Sequence, residues 1–412
     1  MANQQTIGDA SGVPVLELTG WREVNEALRR KDVRQALYDE GAVVMDDCLL
    51  TLHGDPHRDR RRLENRLFRR EVFDIWENQL LAQTLENTLE PFVGAGRADL
   101  IVIGYRLAMS LTAHVAGIDH DSADPDATER LYAVVKKFSE GATLVHSTRN
   151  KDDVRREVLD TMADFDRDLL QPAIARRRAL LDDLAAGRCT EADLPHDVLT
   201  TLLRNQDRLD LPAEVVRREI AFYLQAGAHS TANALTHTLD KIWVWCADHP
   251  GDLEVARNDK GFVQRCMHES LRLDPASPVA WREALNDMEV AGHRIASGTR
   301  LVLDLKSANR DPQMWGPTGN DFDPTRAVPD GASPWGLSFG AGAHACIGQE
   351  LDGGLVDGEM SGGTTQRLYG TVAVMAHAVL RAGGRPDPAS PPVLDASSTR
   401  KHFSSYPILL GA

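Results

Sequence analysis

Phe339-Gly340-Ala341-Gly342-Ala343-His344-Ala345-Cys346-Ile347-Gly348 decides how the rest of this chain is read. A lone cysteine stands among three glycines, with an aromatic residue at the start and a histidine two positions upstream. Glycine lets a backbone turn tightly and come close to a flat ligand. A cysteine held in such a turn presents its thiolate, the form that binds metals, without steric competition. The plain alternative is a glycine-rich surface turn carrying an inert thiol.

Other segments, in a fixed order upstream, bear on the choice. Glu269-Ser270-Leu271-Arg272 sets opposite charges three residues apart, on one helix face where they can pair. Exposed, such a pair is common and weak. Asn309 to Pro334 is rich in Pro, Gly and Asp and carries Arg326 in Phe322-Asp323-Pro324-Thr325-Arg326. Irregular segments of that length are usually tied to function. Ala226-Gly227-Ala228-His229-Ser230-Thr231 lies inside a long helical stretch, where small residues also serve ordinary close packing. His57-Arg58-Asp59-Arg60-Arg61-Arg62, then Arg66, Arg69 and Arg70, form one dense basic segment in a chain of formal net charge −15.

Together these motifs resemble the cytochrome P450 family, over nearly the whole chain. The resemblance implies a mainly α fold with a small β region. It implies haem b as cofactor, with Cys346 as the metal ligand and Phe339, Gly340 and Gly348 shaping its loop. A thiolate opposite dioxygen pushes electron density onto iron and favours O–O cleavage. Glu269, Arg272 and Arg326 would form a buried cluster behind the haem. Propionates need cationic or hydrogen-bonding partners, and His57, Arg61, Arg282 and His344 match the family's positions for them. Ala226 and Gly227 would leave room for dioxygen and for a local widening of the helix. Ser230, with His229 or Thr231, would manage protons. The flanking arginines Arg58, Arg60, Arg62 and Arg66 suit either a solvated face or docking of an acidic electron donor.

Three departures from the family pattern stand out. The acid slot of the distal signature holds His229 and the alcohol slot Ser230. A serine hydroxyl both donates and accepts. A histidine titrates near neutrality and so can supply protons, or it can point away and bond a backbone carbonyl. The second departure is a glycine-rich insertion at 352–363, and the third a shortened N-terminus ahead of the first strand.

Composition bounds the rest. A net charge of −15 argues against nucleic acid, which needs a basic face. Cys48, Cys189, Cys246, Cys266 and Cys346 lack metal-finger or redox spacing and suit a reducing cytoplasm. No signal core is read at the N-terminus, and no apolar run reaches the ~18 residues of a spanning helix, so no membrane anchor is expected. Neither a long linker nor a repeat divides residues 1–412, which read as one domain and a monomer.

Helical periodicity predicts helices over Trp21–Leu28, Arg60–Phe68, Phe73–Leu89, Leu100–Ala116, Ala127–Glu140, Asp153–Leu184 with a break at Pro172, Leu211–Trp245, Phe262–Leu273 and Thr365–Val379. Strands are predicted at Val15–Leu18, within Glu289–Ile295 and at Thr299–Leu303.

The implied function is a haem-thiolate monooxygenase. It would hydroxylate or demethylate a small organic substrate with O2, using NAD(P)H electrons through a separate ferredoxin or flavodoxin system. The altered acid slot leaves open a peroxide-driven or oxidative-coupling enzyme, and a non-catalytic haem-binding sensor or partner protein.

Overall fold

The computed structural model describes residues 7–8, 12–355 and 367–411. The helix Ala213–Asp248 forms the spine of the molecule. It packs against Leu100–Ala116, Pro125–Ala142, Lys260–Leu273 and Thr371–Arg381. Together these helices enclose the larger hydrophobic core.

Local chemistry sets the helix ends. Asp99 caps Leu100–Ala116 by accepting from the Ile101 amide (2.8 Å), and Gly117 ends that helix in the left-handed region. Pro212 precedes the spine as its N-cap, where its missing N–H leaves no donor unpaired. The helix expected from Arg60 instead spans Gly54–Glu64. Pro56 falls within its first turn, where a proline is tolerated. The stretch expected as Asp153–Leu184 is helical over Lys151–Phe165 and Gln171–Ala185, joined by one wide π-type turn at Asp166–Leu170. Pro172 follows that turn and accounts for it, since proline removes a helical hydrogen bond and crowds the carbonyl four residues back. Phe73–Leu89 is likewise interrupted, by a wide turn at Trp76–Leu80.

The strands gather at one end. Ile7–Gly8, Pro14–Leu18, Arg300–Asp304, Val279–Ala284 and Val33–Gln35 lie in that order in a five-stranded sheet. Leu18 is in register with Leu303, and Arg282 with both Leu301 and Gln35. Arg282 therefore stands on an interior strand. A second hydrophobic cluster, including Leu18, Val24, Leu28, Leu301 and Leu303, joins the sheet to the helix Trp21–Arg29. Small C-terminal sheets pair Pro407–Leu409 with Arg97–Asp99 and Arg385–Pro386, and Val393–Leu394 with Phe403–Ser405. Of the insertion expected at 352–363, Asp352 and Gly353 belong to the short helix Gln349–Gly353, and 356–363 lie outside the described residues. Among the described residues, no helix is long and apolar enough to cross a membrane.

The Glu269–Arg272 pair is buried and carries a third partner. Arg272 grips Glu269 with two bonds (2.6 and 2.7 Å), and Arg326 donates to the same carboxylate (2.9 Å). Arg272 also donates to the carbonyls of Asn309 (2.6 Å) and Gly319 (2.7 Å), and its guanidinium lies 4.7 Å from the Trp315 ring centre. One buried cation thus satisfies backbone oxygens that the irregular segment cannot pair internally. Arg272→Leu is expected to lower stability by about 3–5 kcal/mol, because it leaves buried carbonyls and part of a carboxylate without a donor. Urea unfolding checks this; a loss below about 1 kcal/mol, the level of an exposed pair, contradicts it.

Candidate active site

The thiol of Cys346 faces a cavity of about 300 Å³ between the spine helix, the Gly54–Glu64 helix and the sheet. Apolar side chains such as Leu49, Ala108, Val115 and Leu271 make up much of its wall. The cysteine loop is closed by the Cys346 amide donating to the Phe339 carbonyl (2.8 Å). Gly340 and Gly342 have φ of 69° and 72°, in the left-handed region. A Cβ on Gly342 would stand 2.6 Å from the Leu28 carbonyl oxygen, so only glycine lets the loop lie on the helix Trp21–Arg29. Cys346 is open to the cavity yet enclosed by protein. Burial, with Asp352 nearby, pushes its thiol up to about 11.

The loop is anchored from behind. Asn309, whose carbonyl binds Arg272, accepts from the Leu337 amide (2.7 Å) and donates to Ser338 (3.0 Å). Ser338 in turn donates to the Leu271 carbonyl (2.7 Å). The acid–base helix, the irregular segment and the cysteine loop are therefore one hydrogen-bonded unit.

Cationic and imidazole groups line one end of the cavity. Arg61 donates to the Ala345 carbonyl (2.8 Å), tying the basic helix to the cysteine loop. That helix is fixed to the spine by Arg60 donating to Glu219 (2.9 Å) and by Tyr223 donating to Glu64 (2.6 Å). The rings of His57 and His344 lie 4.3 Å apart. Burial lowers His57 to about 4 and His344 to about 3, so both are neutral. Nε2 of His57 and Nδ1 of His344 are buried with no partner among the described residues. Arg282 is buried and, among the described residues, has only neutral acceptors, Gln35 (2.8 Å) and the Trp281 carbonyl (2.9 Å); burial lowers it to about 10. Orphaned nitrogens and an uncompensated buried guanidinium are costly by themselves. A flat ligand carrying carboxylates would complete them, so the donor set fits a haem with its propionates here and its iron at the thiol.

The spine helix supplies the opposite wall. Ala226, Gly227, Ser230 and Thr231 all line the cavity. The expected widening of this helix is not found: it runs as continuous α-helix, and Ser230 donates to the Ala226 carbonyl (2.6 Å). Gly227 is small for another reason as well. A Cβ there would lie 2.3 Å from the Thr112 methyl, so close packing on Leu100–Ala116 also requires it.

His229 is the one expected residue that the structure turns away from this cavity. Its Nε2 faces Arg400 (3.0 Å) and its Nδ1 faces Tyr105 (2.5 Å). A guanidinium only donates, so Nε2 is an acceptor and the proton sits on Nδ1. Burial, with Arg400 adjacent, pushes its pKa well below 6.5. The expectation of a proton source at 229 gives way to a neutral imidazole bound to an arginine. The backbone-carbonyl alternative is not what holds it either.

A carboxylate does reach the cavity, from the other side. Asp352 accepts from Thr231 (2.9 and 3.1 Å), and burial raises it to about 7. Sequence reading assigned it to the insertion, because the glycines after it masked the short helix that carries it. An aspartate six residues after the cysteine was the available signal.

Residues 254–351 match the family model for cytochrome P450. The chain is 36% identical over 111 residues to cytochrome P450 714C2 of Oryza sativa subsp. japonica, 26% of this chain and 21% of that one. It is 28% identical over 190 residues to human cytochrome P450 4V2, 44% of this chain and 35% of that one. The matched stretches span 21% and 35% of the length of these two relatives. Among solved structures, CalO2 superposes with a TM-score of 0.74 at 20% identity, covering 99% of this chain and 93% of that one. P450BioI, solved in complex with an acyl carrier protein bearing a hexadecenoic acid, gives 0.71 at 19% identity, covering 98% and 94%. The superpositions show that the chain shares the fold of these solved structures, and the cytochrome P450 model is matched over the segment that carries the Glu269–Arg272 pair and the cysteine loop.

The raised pKa of Asp352 has a measurable sign. Its carboxyl ionises near 3.8 when unfolded and near 7 in the fold, so the native state holds the extra proton and stability falls as pH rises from about 4 to about 7. Asp352→Asn is expected to remove that part of the slope. Denaturant unfolding of both proteins at several pH values checks it, and parallel profiles contradict it.

Proposed function

We propose that this protein is a cytochrome P450 monooxygenase that inserts one oxygen atom of O2 into a C–H bond of a small organic molecule, or demethylates one. The observation that carries the reading is the shared cavity: the Cys346 thiol at one point, and at one end two orphaned imidazoles beside an unpaired guanidinium. Haem b, when bound, supplies the centre at which dioxygen is activated. Cys346 would hold its iron; Arg61 and Arg282 would pair with its carboxylates, and the neutral imidazoles of His57 and His344 would donate hydrogen bonds to them. Phe339, Gly340 and Gly348 would shape the loop that presents the thiol to it, and Ala226 and Gly227 would leave room for it on the helix side of the cavity.

The protein's own proton handling falls to Ser230, Thr231 and Asp352. Ser230 spends its hydrogen on the Ala226 carbonyl, so its lone pairs are what it offers to a water. Thr231 spends its hydrogen on Asp352, whose pKa near 7 lets that carboxyl gain and lose a proton at neutral pH. Apolar walls limit bulk water. Electrons come from NAD(P)H by way of a separate ferredoxin or flavodoxin. The exposed groove along Arg58, Arg62, Arg66 and Arg69, next to His344, is the docking face for that acidic donor. A cytoplasmic setting fits these partners.

A peroxide-driven reaction is the second reading, favoured by one observation: His229 is held by Arg400 and cannot feed protons inward. Supplying haem-loaded protein with 18O2, NAD(P)H, a ferredoxin pair and a substrate chosen by its shift of the haem spectrum tests the two. One labelled oxygen is expected, in the hydroxylated product or in the formaldehyde that a demethylation releases. Label absent from both, or product formed only with added hydrogen peroxide, contradicts the monooxygenase reading. Arg282→Leu is expected to lower haem content after purification several-fold while leaving the thermal unfolding of the haem-free protein nearly unchanged; equal haem content contradicts the propionate role.

A further inference from the structure

On the far side of the spine helix from Cys346 lies a second, polar cavity of about 350 Å³. Arg400 faces it. This arginine is 9% exposed and has no carboxylate within ion-pair distance among the described residues. Its Nη2 is used by Thr143 (2.9 Å) and His229 (3.0 Å), both neutral, its Nη1 reaches the Ala276 carbonyl only at 3.4 Å, and its Nε is buried without a partner. An arginine is not kept so at no cost, because a buried cation without an anion is strongly unfavourable. The loop that carries it is fixed. Thr399 donates its amide to the His146 carbonyl (2.8 Å), Thr148 donates to Ser397 (3.0 Å), and Arg400 donates its own amide to Ser398 (3.2 Å).

The other charges around the cavity are accounted for, apart from one lysine. Glu140 is paired with Lys137 (3.0 Å) and Arg149 (2.8 Å). Asp395 accepts from the amide (2.8 Å) and hydroxyl (2.6 Å) of Ser397. Lys136 lines the cavity with its ammonium over the Tyr105 and Tyr132 rings and, among the described residues, makes no ion pair. Ser397 is neutral, so the charge of Asp395 remains and acts on Arg400; against that one negative charge stand two positive ones, Arg400 and Lys136, and one positive charge is left over.

We propose that this second cavity binds a small molecule through a carboxylate, with Arg400 as its anchor and Lys136 at the rim. The unused Nε–H of a charged guanidinium is suited to one charge-assisted bond to a carboxylate. Two sources fit that chemistry. Arg400 stands between the cavities, touching Ala276 and His229, while Ala276 and Ser230 line the first one. The carboxylate is then either the far end of the substrate or a separate ligand that bears on Ser230 through His229. The link to turnover rests on the monooxygenase reading; the anion site does not.

Isothermal titration of haem-loaded protein with benzoate, 4-phenylbutyrate and decanoate, each against its primary amide, tests the proposal, with the haem spectrum recorded in parallel. At least one acid is expected to bind ~10-fold or more tighter than its amide, the size of a charge-assisted bond. Arg400→Gln should erase that preference. Ser398→Asp, which sets a tethered carboxylate at the cavity while keeping an acceptor for the Arg400 amide, should weaken the acid to the level of its amide. A shift of the haem spectrum on binding marks the substrate's own end; binding without a shift marks a separate ligand. Acid and amide binding alike, no acid binding at all, or a preference that survives both variants overturns the proposal. A carbon-monoxide difference spectrum on the same samples reports separately whether the haem-thiolate reading stands.

Discussion

The guanidinium of Arg272 holds this structure's functional half together. It sits in full burial, and its donors are divided between Glu269 and the carbonyls of Asn309 and Gly319. Without it, the irregular segment would carry buried backbone oxygens with no helix or sheet to satisfy them. With it, Asn309 is placed to fix Leu337 and Ser338, and these set the start of the loop that ends at Cys346. The position of one sulfur thus depends on the distant Glu269–Arg272 ion pair. Rigid placement of this kind is what a site needs if its ligand is to be held in one orientation.

Much of this was readable from residues alone. The glycines at 340 and 342 imply a tight turn, and the structure uses both at positive φ. Leu100–Ala116 falls where its apolar run put it. Arg326 stands third at the Glu269 carboxylate, as its place in the irregular segment suggested. The C-terminal strands were not readable, because segments of two or three residues have no period and pair with partners far away, Asp99 with Pro407 among them. Nor was the direction of His229. A sequence says that a side chain is on a helix, but one step of about 100° decides which cavity it enters.

That step separates the two residues of the altered distal signature. His229 and Ser230 are neighbours, yet one faces Arg400 and the other the thiol's cavity. A histidine beside an arginine is held neutral, whereas the usual acid there would be held charged. Asp352 meets Thr231 from the helix after the cysteine, where burial rather than charge tunes it. In the proposed reading, the titratable group of the cavity has moved from the spine helix to the segment that follows the ligand.

The account stands or falls on the sulfur at 346 meeting iron. Reduced protein exposed to carbon monoxide reports this directly. An absorption band near ~450 nm in the wild type, lost in Cys346→Ser, is the predicted result, since a thiolate donor is what sets that electronic character. A band that is absent from the wild type, or unchanged by the serine, contradicts it.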